Sequence, residues 1–193
     1  MFRILTTIIS FLIIITSWAT PIAEQPNFVA VEKQLTKNSN ITGKFEQIRH
    51  IDGLENPLIS SGTFKLSPDS GLYWDQDKPF KSVLKVTKDR LEQTVMDNPP
   101  TVITRDQQPV VFSFTQVFMS ILQGNTDSIE QYFNASFKGD TKDWEITLTP
   151  KANLIGKAIK SIYLKGSNTI TFVKVIDTED NIVDIKFSDV VVK

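Results

Sequence analysis

Few side chains in this sequence could carry out nucleophilic or acid–base chemistry. His50 is the single histidine of the 193 residues, and the chain contains no cysteine. A catalytic serine or a transition-metal site would have to use His50, whereas such sites normally draw on several of these groups. We place His50 at the end of a strand beside a polar loop, which indicates a solvated surface histidine. The sequence therefore predicts no catalytic residue and no metal site.

Carboxylates could bind a cation or hydrolyse a sugar. Asp69, Asp75 and Asp77 lie close together, but we place them in turns, where Asp is favoured because it hydrogen-bonds to nearby backbone. Paired-carboxylate glycosidase chemistry stays open, although no motif indicates it. The eight glycines form no phosphate-binding loop before a helix. A net charge of −1 offers no basic surface for nucleic acid. We predict neither a cofactor nor a nucleic-acid partner.

Apolar side chains form a stronger pattern, first visible in SGLYWDQDKPFKSVL at residues 70–84. Leu72 and Trp74 share one face of a strand, and Leu84 and Val86 share one face of the next, because side chains alternate along a strand. The face is either a packed core or the wall of a ligand cavity. The side chains predicted to line this side of the sheet are Phe45, Phe64, Leu66, Leu72, Trp74, Leu84, Val86, Leu91, Ile146 and Leu148.

A segment in the middle of the chain favours the cavity over the packed core. Residues 107–126 carry no charge, and the apolar residues within them follow helical spacing. A helix bordered only by water would usually carry Lys or Glu. The segment therefore suits a lid that sometimes faces lipid or an acyl chain. The predicted lid residues are Phe114, Phe118, Ile121 and Leu122.

The remaining sequence predicts one mainly antiparallel β domain. Residues 26–37 read as a helix, and residues 126–133 as a second, shorter one. Short strands fill most of residues 41–188, with a polar turn expected at residues 75–79. About ten strands of this kind form a curved sheet or a barrel. The apolar stripe of the first helix consists of Phe28, Val31 and Leu35.

The N-terminus has the composition of a secretory signal peptide. Arg3 precedes an apolar run over residues 4–15, and small residues follow at Ser17 and Ala19. We expect a cleavable signal at residues 1–19, a single domain at residues 20–193 and export across the inner membrane. The alternative, an uncleaved membrane anchor, is disfavoured because the run is short for a membrane span.

Several short motifs occur in an order and spacing that resemble a known family. They are GKFEQ at residues 43–47, GTF at 62–64, GLYW at 71–74 and WEITLTPK at 144–151, with the uncharged segment before the last. In this pattern the chain resembles the LolA-like periplasmic outer-membrane lipoprotein carriers, over nearly all of residues 20–193.

The resemblance implies an incomplete antiparallel β-barrel of roughly ten to eleven strands, with an N-terminal helix and a mid-chain helical lid over a hydrophobic cavity. In the family, that cavity takes lipoprotein acyl chains from an inner-membrane ABC transporter and delivers them to an outer-membrane acceptor. On this reading Leu72 and Trp74 line the cavity, and Phe45 and Phe64 lie deeper. Pro68 stands where the family has a lid-latching arginine, which indicates a divergent branch whose cargo is a lipoprotein, another acyl lipid or an acyl-polyene.

Three hypotheses follow from the sequence. The first is a monomeric periplasmic carrier with no chemistry of its own. The second is a periplasmic protein-docking or assembly module whose interior is filled. The third and most remote is an acyl-ester hydrolase. Interior volume distinguishes the first two, and the surroundings of His50 test the third.

Overall fold

The computed structural model describes residues 25–37, 40–87, 90–107, 127–151 and 155–193. Between these ranges it also describes six helical residues, 109, 112, 115, 116, 119 and 120. The predicted signal peptide at residues 1–19 lies outside the described residues. So do the four predicted lid residues Phe114, Phe118, Ile121 and Leu122. In the part of the chain that is described, no helix is both long and apolar enough to cross a membrane.

The described residues form eleven strands and two helices, with one 3₁₀ turn at Ile155–Lys157. The helices are α1 (Pro26–Leu35) and α2 (Asp127–Tyr132). The strands are β1 (Ile41–His50), β2 (Leu58–Ser67), β3 (Gly71–Lys78), β4 (Ser82–Val86), β5 (Arg90–Val95), β6 (Thr101–Thr104), β7 (Phe133–Gly139), β8 (Trp144–Pro150), β9 (Ile159–Gly166), β10 (Ile170–Asp177) and β11 (Ile182–Val192).

All eleven strands belong to one antiparallel sheet with the order β6-β5-β4-β3-β2-β1-β11-β10-β9-β8-β7. The first and last strands meet at its centre, where Ile41 lies opposite Val192 and His50 opposite Ile182. Strands β6 and β7 are the two edges and do not pair with each other. The barrel is therefore unclosed, as the family resemblance implied. The mainly β fold with one N-terminal helix and one helix in the middle of the chain is also confirmed.

The predicted alternation explains which side of the sheet is buried. In β8, Trp144, Ile146 and Leu148 are buried, while Glu145 and Thr147 between them face outward. An extended backbone turns successive side chains to opposite faces, so each such strand contributes one apolar row to the interior. The core therefore forms on the inner side of the curved sheet.

We call the half of the sheet from β11 to β7 the later wing and the half from β2 to β6 the earlier wing. Helix α1 covers the later wing. Pro26 occupies its first turn, where a missing N–H costs nothing. The Phe28 ring meets Phe137 of β7 edge-on at 5.5 Å between centroids. The side-chain amide of Gln34 donates a 2.7 Å hydrogen bond to the Ser167 carbonyl. The helix ends at Leu35, two residues before the predicted end, and Lys37 lies in a turn.

The predicted turn at residues 75–79 was wrong, because β3 continues to Lys78. Asp75 and Asp77 are strand residues held by Lys81, whose Nζ lies 2.6 Å and 3.0 Å from their carboxylates. Hydrogen bonding, first to Asp75 and then to Asp77, raises the pKa of Lys81 well above its ordinary value. This shared cation permits two acidic residues near a strand end, so the turn is shorter than their polarity suggested.

Two other boundaries differ from the sequence expectations. Strand β6 was not anticipated, because it is a four-residue edge strand that shows no row of buried side chains. The predicted helix at residues 126–133 is α2, and Phe133 already begins β7. Ile129 and Phe133 are buried.

Candidate ligand cavity

A cavity of about 370 Å³ lies on the inner side of the sheet. Strands from both wings contribute to it, because the sheet curls until β3 and β4 face β9, β10 and β11. Its apolar wall consists of Leu72, Trp74, Leu84, Val86, Ile159, Val175, Val183 and Ile185. This volume falls within the range typical of small-molecule pockets.

Four predicted side chains form one side of this cavity. Leu72 lies opposite Val86 and Trp74 opposite Leu84 in the β3–β4 ladder, so directly paired residues present adjacent side chains. Leu72 and Val86 are almost fully buried, at 3% and 1% exposure. Trp74 and Leu84 are only half-buried, although both pack against the core. Both side chains therefore present apolar surface to the cavity.

Behind this wall lies an aromatic cluster formed by Phe45, Phe64, Trp74 and Phe187. Trp74 stacks on Phe45 with 3.8 Å between ring centroids and 27° between planes. Phe187 meets Phe64 edge-on at 5.0 Å and Trp74 at 6.2 Å. Phe45, Phe64 and Phe187 are buried. Their contacts hold the Trp74 ring in place from one side and leave its partly exposed side for the cavity.

A glycine allows β3 to approach β2 beside this cluster. Gly62 lies opposite Phe45 in the β1–β2 ladder, at a register irregularity between β2 and β3. A Cβ at Gly62 would lie 2.0 Å from the Asp75 carbonyl oxygen. Any side chain at Gly62 would push β3 away from β2. That shift would displace Trp74, which is the neighbour of Asp75 in β3.

The remaining predicted site residues on the strands are buried but do not line the cavity. Leu66 and Leu91 lie opposite Leu72 and Val86 respectively and extend the same apolar row. Ile146 and Leu148 lie in the core of β8, at 6% and 0% exposure. We call the six helical residues described between β6 and α2 the mid-chain helix; among them, Thr115 lines the cavity and Phe112 is buried at 1% exposure. The structure thus brings together Leu72, Trp74, Leu84 and Val86 at the cavity, and places the other predicted residues of the strands in the surrounding core.

Four polar residues at this cavity were not predicted, and we call them the polar rim: Gln47, Arg49, Thr115 and Asp177. Gln47 and Arg49 continue the inward row that Phe45 begins on β1, a signal that alternation could have supplied. Asp177 ends β10. Hydrogen bonding to Asn181 chiefly lowers its pKa, and the nearby positive charge of Arg49 adds to this.

The side chains considered for chemistry occupy other surfaces. His50 is exposed at the end of β1, on the opposite face from Arg49. Asp75 and Asp77 are engaged by Lys81 outside the cavity. Within the described ranges, no group of three or more His, Cys, Asp or Glu residues is arranged to hold a metal ion. The cavity itself offers an apolar volume with one cation and one carboxylate at its edge.

One family model and several solved structures match this chain. The family model for the outer membrane lipoprotein carrier protein LolA matches residues 36–193. A LolA superfamily protein from Nitrosomonas europaea is similar in structure, with a TM-score of 0.45 and 7% identity over 85% of this chain and 94% of that one. A DUF1329 family protein from Desulfovibrio piger matches with a TM-score of 0.45 and 9% identity, over 84% and 89% of the two chains. A search of curated proteins produced no match. The family match confirms the resemblance inferred from the sequence motifs: this chain belongs to the LolA family.

Proposed function

We propose that this protein is a periplasmic carrier that holds the acyl chains of a lipoprotein or another lipid in the cavity. It would receive them from an inner-membrane exporter and release them to an outer-membrane acceptor. The observation that carries the proposal is the apolar cavity of about 370 Å³, with Trp74 and Leu84 half-buried at its wall. Membership of a family described as outer membrane lipoprotein carriers supports it.

The energetics suit reversible carriage. Burying an acyl chain contributes about 0.8 kcal/mol per methylene, so a chain of about sixteen carbons gives a gross gain on the order of 10 kcal/mol. Ordering the chain and closing the protein around it reduce that gain. That gain is measured against water, and a membrane offers the chain a similar apolar environment, so transfer between membrane and cavity is close to balanced and can run in both directions.

The proposal assigns no chemistry to the protein. Acyl-ester hydrolysis would require a nucleophile activated by His50 near the bound chain. His50 instead faces away from the cavity, on the outer side of β1. The wall residues can bind an acyl chain by contact alone, and the predicted state is a monomer without a cofactor.

The test is native mass spectrometry of the protein recovered from the periplasm, followed by organic extraction of whatever co-purifies. We expect an acyl-bearing species at one per chain, and its loss in Leu84→Glu, because a carboxylate in the apolar wall is costly to bury. Thr149→Glu is the matched control, since Thr149 is exposed on the outer face of β8. An empty wild-type protein that also takes up no added lipid would contradict the proposal and favour the protein-docking alternative.

A further inference from the structure

The polar rim places a permanent positive charge at an otherwise apolar cavity. Arg49 is the one lysine or arginine among the described residues that line this cavity. Its neighbours across the strand ladders are Leu58 on β2 and Val183 on β11. The guanidinium therefore lies where apolar wall gives way to solvent, the position that the polar end of a bound acyl chain would occupy.

Asp177 is the acidic residue at the same rim, but both of its carboxylate oxygens accept hydrogen bonds from the turn that follows it. Oδ1 accepts hydrogen bonds of 2.9 Å from the backbone N–H groups of both Glu179 and Asn181. Oδ2 accepts a 2.8 Å hydrogen bond from the Asn181 side-chain amide. The carboxylate thus caps the β10–β11 turn, and Arg49 acts on it only as a nearby charge. Among the ion pairs of the described residues, none includes Arg49.

The chemistry of the guanidinium defines the ligand. Arginine presents a planar set of N–H donors that matches the two oxygens of a carboxylate or phosphate. Such charge-assisted hydrogen bonds are about twice as strong as neutral ones. Gln47 and Thr115 add neutral hydrogen-bonding groups at the same rim.

We propose that Arg49 binds the anionic end of the carried lipid, either a fatty carboxylate or a lipid phosphate, while the acyl chain lies against Trp74 and Leu84. This inference rests on the proposed function, because it assigns the cargo class of the same cavity. It makes the cargo an anionic acyl lipid, and it gives the cavity a fixed polarity: the head lies at Arg49 and the tail extends toward Leu72.

The test compares three ligands with the same chain length: dodecanoate, dodecyl phosphate and dodecanol. Binding to the full chain is measured by isothermal titration calorimetry at about pH 7.5, where the carboxylate is ionised. We expect the wild type to bind at least one anion roughly tenfold more tightly than the alcohol. In Arg49→Gln that preference disappears, while the affinity for dodecanol is unchanged. Arg90→Gln is the matched control, because Arg90 is exposed on the outer face of β5, where it pairs with Glu92.

The outcomes separate this inference from the function on which it rests. A preference for dodecanoate alone assigns a fatty carboxylate, a preference for dodecyl phosphate alone assigns a lipid phosphate, and a preference for both assigns the shared anionic end. Equal wild-type affinity for all three ligands would overturn the inference and leave the carrier proposal intact. An equal loss for all three in Arg49→Gln would also overturn it, since a structural role would have that effect. Failure of the wild type to bind even dodecanol would overturn the proposed function.

Discussion

The environments of Trp144 and Trp74 show how one sheet face serves as both core and cavity wall. Trp144 is fully buried on β8, and its Nε1–H donates a 2.7 Å hydrogen bond to the Ser167 carbonyl. Trp74 on β3 stacks on Phe45 but remains half-buried at the cavity. Both occupy inward positions of strands with the same alternation. The apolarity of a position therefore does not decide whether it packs against protein or against a ligand.

The difference lies in what covers each wing. Helix α1 packs over the wing that contains Trp144, where Asn27 and Gln34 donate hydrogen bonds to the Gly139 and Ser167 carbonyls. At the cavity, the described part of the mid-chain helix contributes Thr115. A side chain gains dispersion energy only from the atoms that it touches. Trp74 and Leu84 at the cavity are consequently less buried than Trp144.

The largest expected effect is a loss of stability in the wing that α1 covers. Trp144→Ala should lower the free energy of unfolding by about 3–5 kcal/mol, because it empties a filled site. Urea denaturation of both proteins measures this difference. Trp74→Ala is the comparison and should cost less, because part of the ring already faces the cavity. Equal costs for the two substitutions would contradict the division into core and cavity wall.

One substitution made in both regions sharpens the comparison. Leu148→Ala should cost about 2–5 kcal/mol, since Leu148 is fully buried. Leu84→Ala should cost about 1 kcal/mol, because its side chain already borders open space and only part of its surface is buried. Chemical denaturation gives both values, and dodecanol titration should show weaker binding for Leu84→Ala alone. Weaker binding in Leu148→Ala to the same degree would argue against a localised site.

A smaller effect is expected from filling space beside Trp144. A methyl group at Gly166 would lie 2.3 Å from Trp144 Cζ2 and 2.4 Å from the Thr169 carbonyl oxygen. Gly166→Ala should therefore destabilise the protein by about 1–3 kcal/mol through overpacking, with dodecanol affinity retained. Thermal unfolding checks the first expectation and titration the second. Gly156→Ala is a milder control, since its nearest contact would be 3.1 Å; a larger loss there would refute the packing argument.

The smallest effect concerns the rim and depends on pH. Asp177→Ala should cost about 1 kcal/mol at neutral pH, because it removes the partly exposed hydrogen bonds that cap the β10–β11 turn. The pKa of Asp177 is lower in the folded state than in the unfolded state, chiefly through Asn181. Its contribution is therefore complete above the unfolded pKa and is lost as pH falls through the folded one.

Denaturation of wild type and Asp177→Ala over a series of pH values measures this contribution. The difference between them should shrink as the solution becomes acidic. Glu179→Ala, in the same turn, is the control and should show no such trend. A difference that is constant with pH would mean that the charge of Asp177 contributes nothing to the turn.

Much of the fold and part of the cavity followed from alternation. Leu72, Trp74, Leu84 and Val86 could be assigned to one face because each pair has the two-residue spacing of a strand. The polar rim was not predicted, because the predicted cavity wall was defined by apolar side chains alone. Arg49 nevertheless continues the inward row of Phe45 on β1. The end of β3 was misplaced because the Asp75 and Asp77 carboxylates looked like turn residues, and sequence spacing did not reveal that Lys81 neutralises both.

By itself, the sequence determined the strand-rich architecture, the inward apolar rows and the family, because these depend on local spacing and on ordered motifs. The tertiary structure decided which parts of the apolar face are filled. Residues far apart in the chain, such as Trp74 on β3 and Val183 on β11, face one cavity only because the sheet curls. The position of α1 over one wing similarly decided that Trp144 belongs to the core. Curvature and helix placement arise from the sum of many packing contacts, so no single stretch of sequence encodes them.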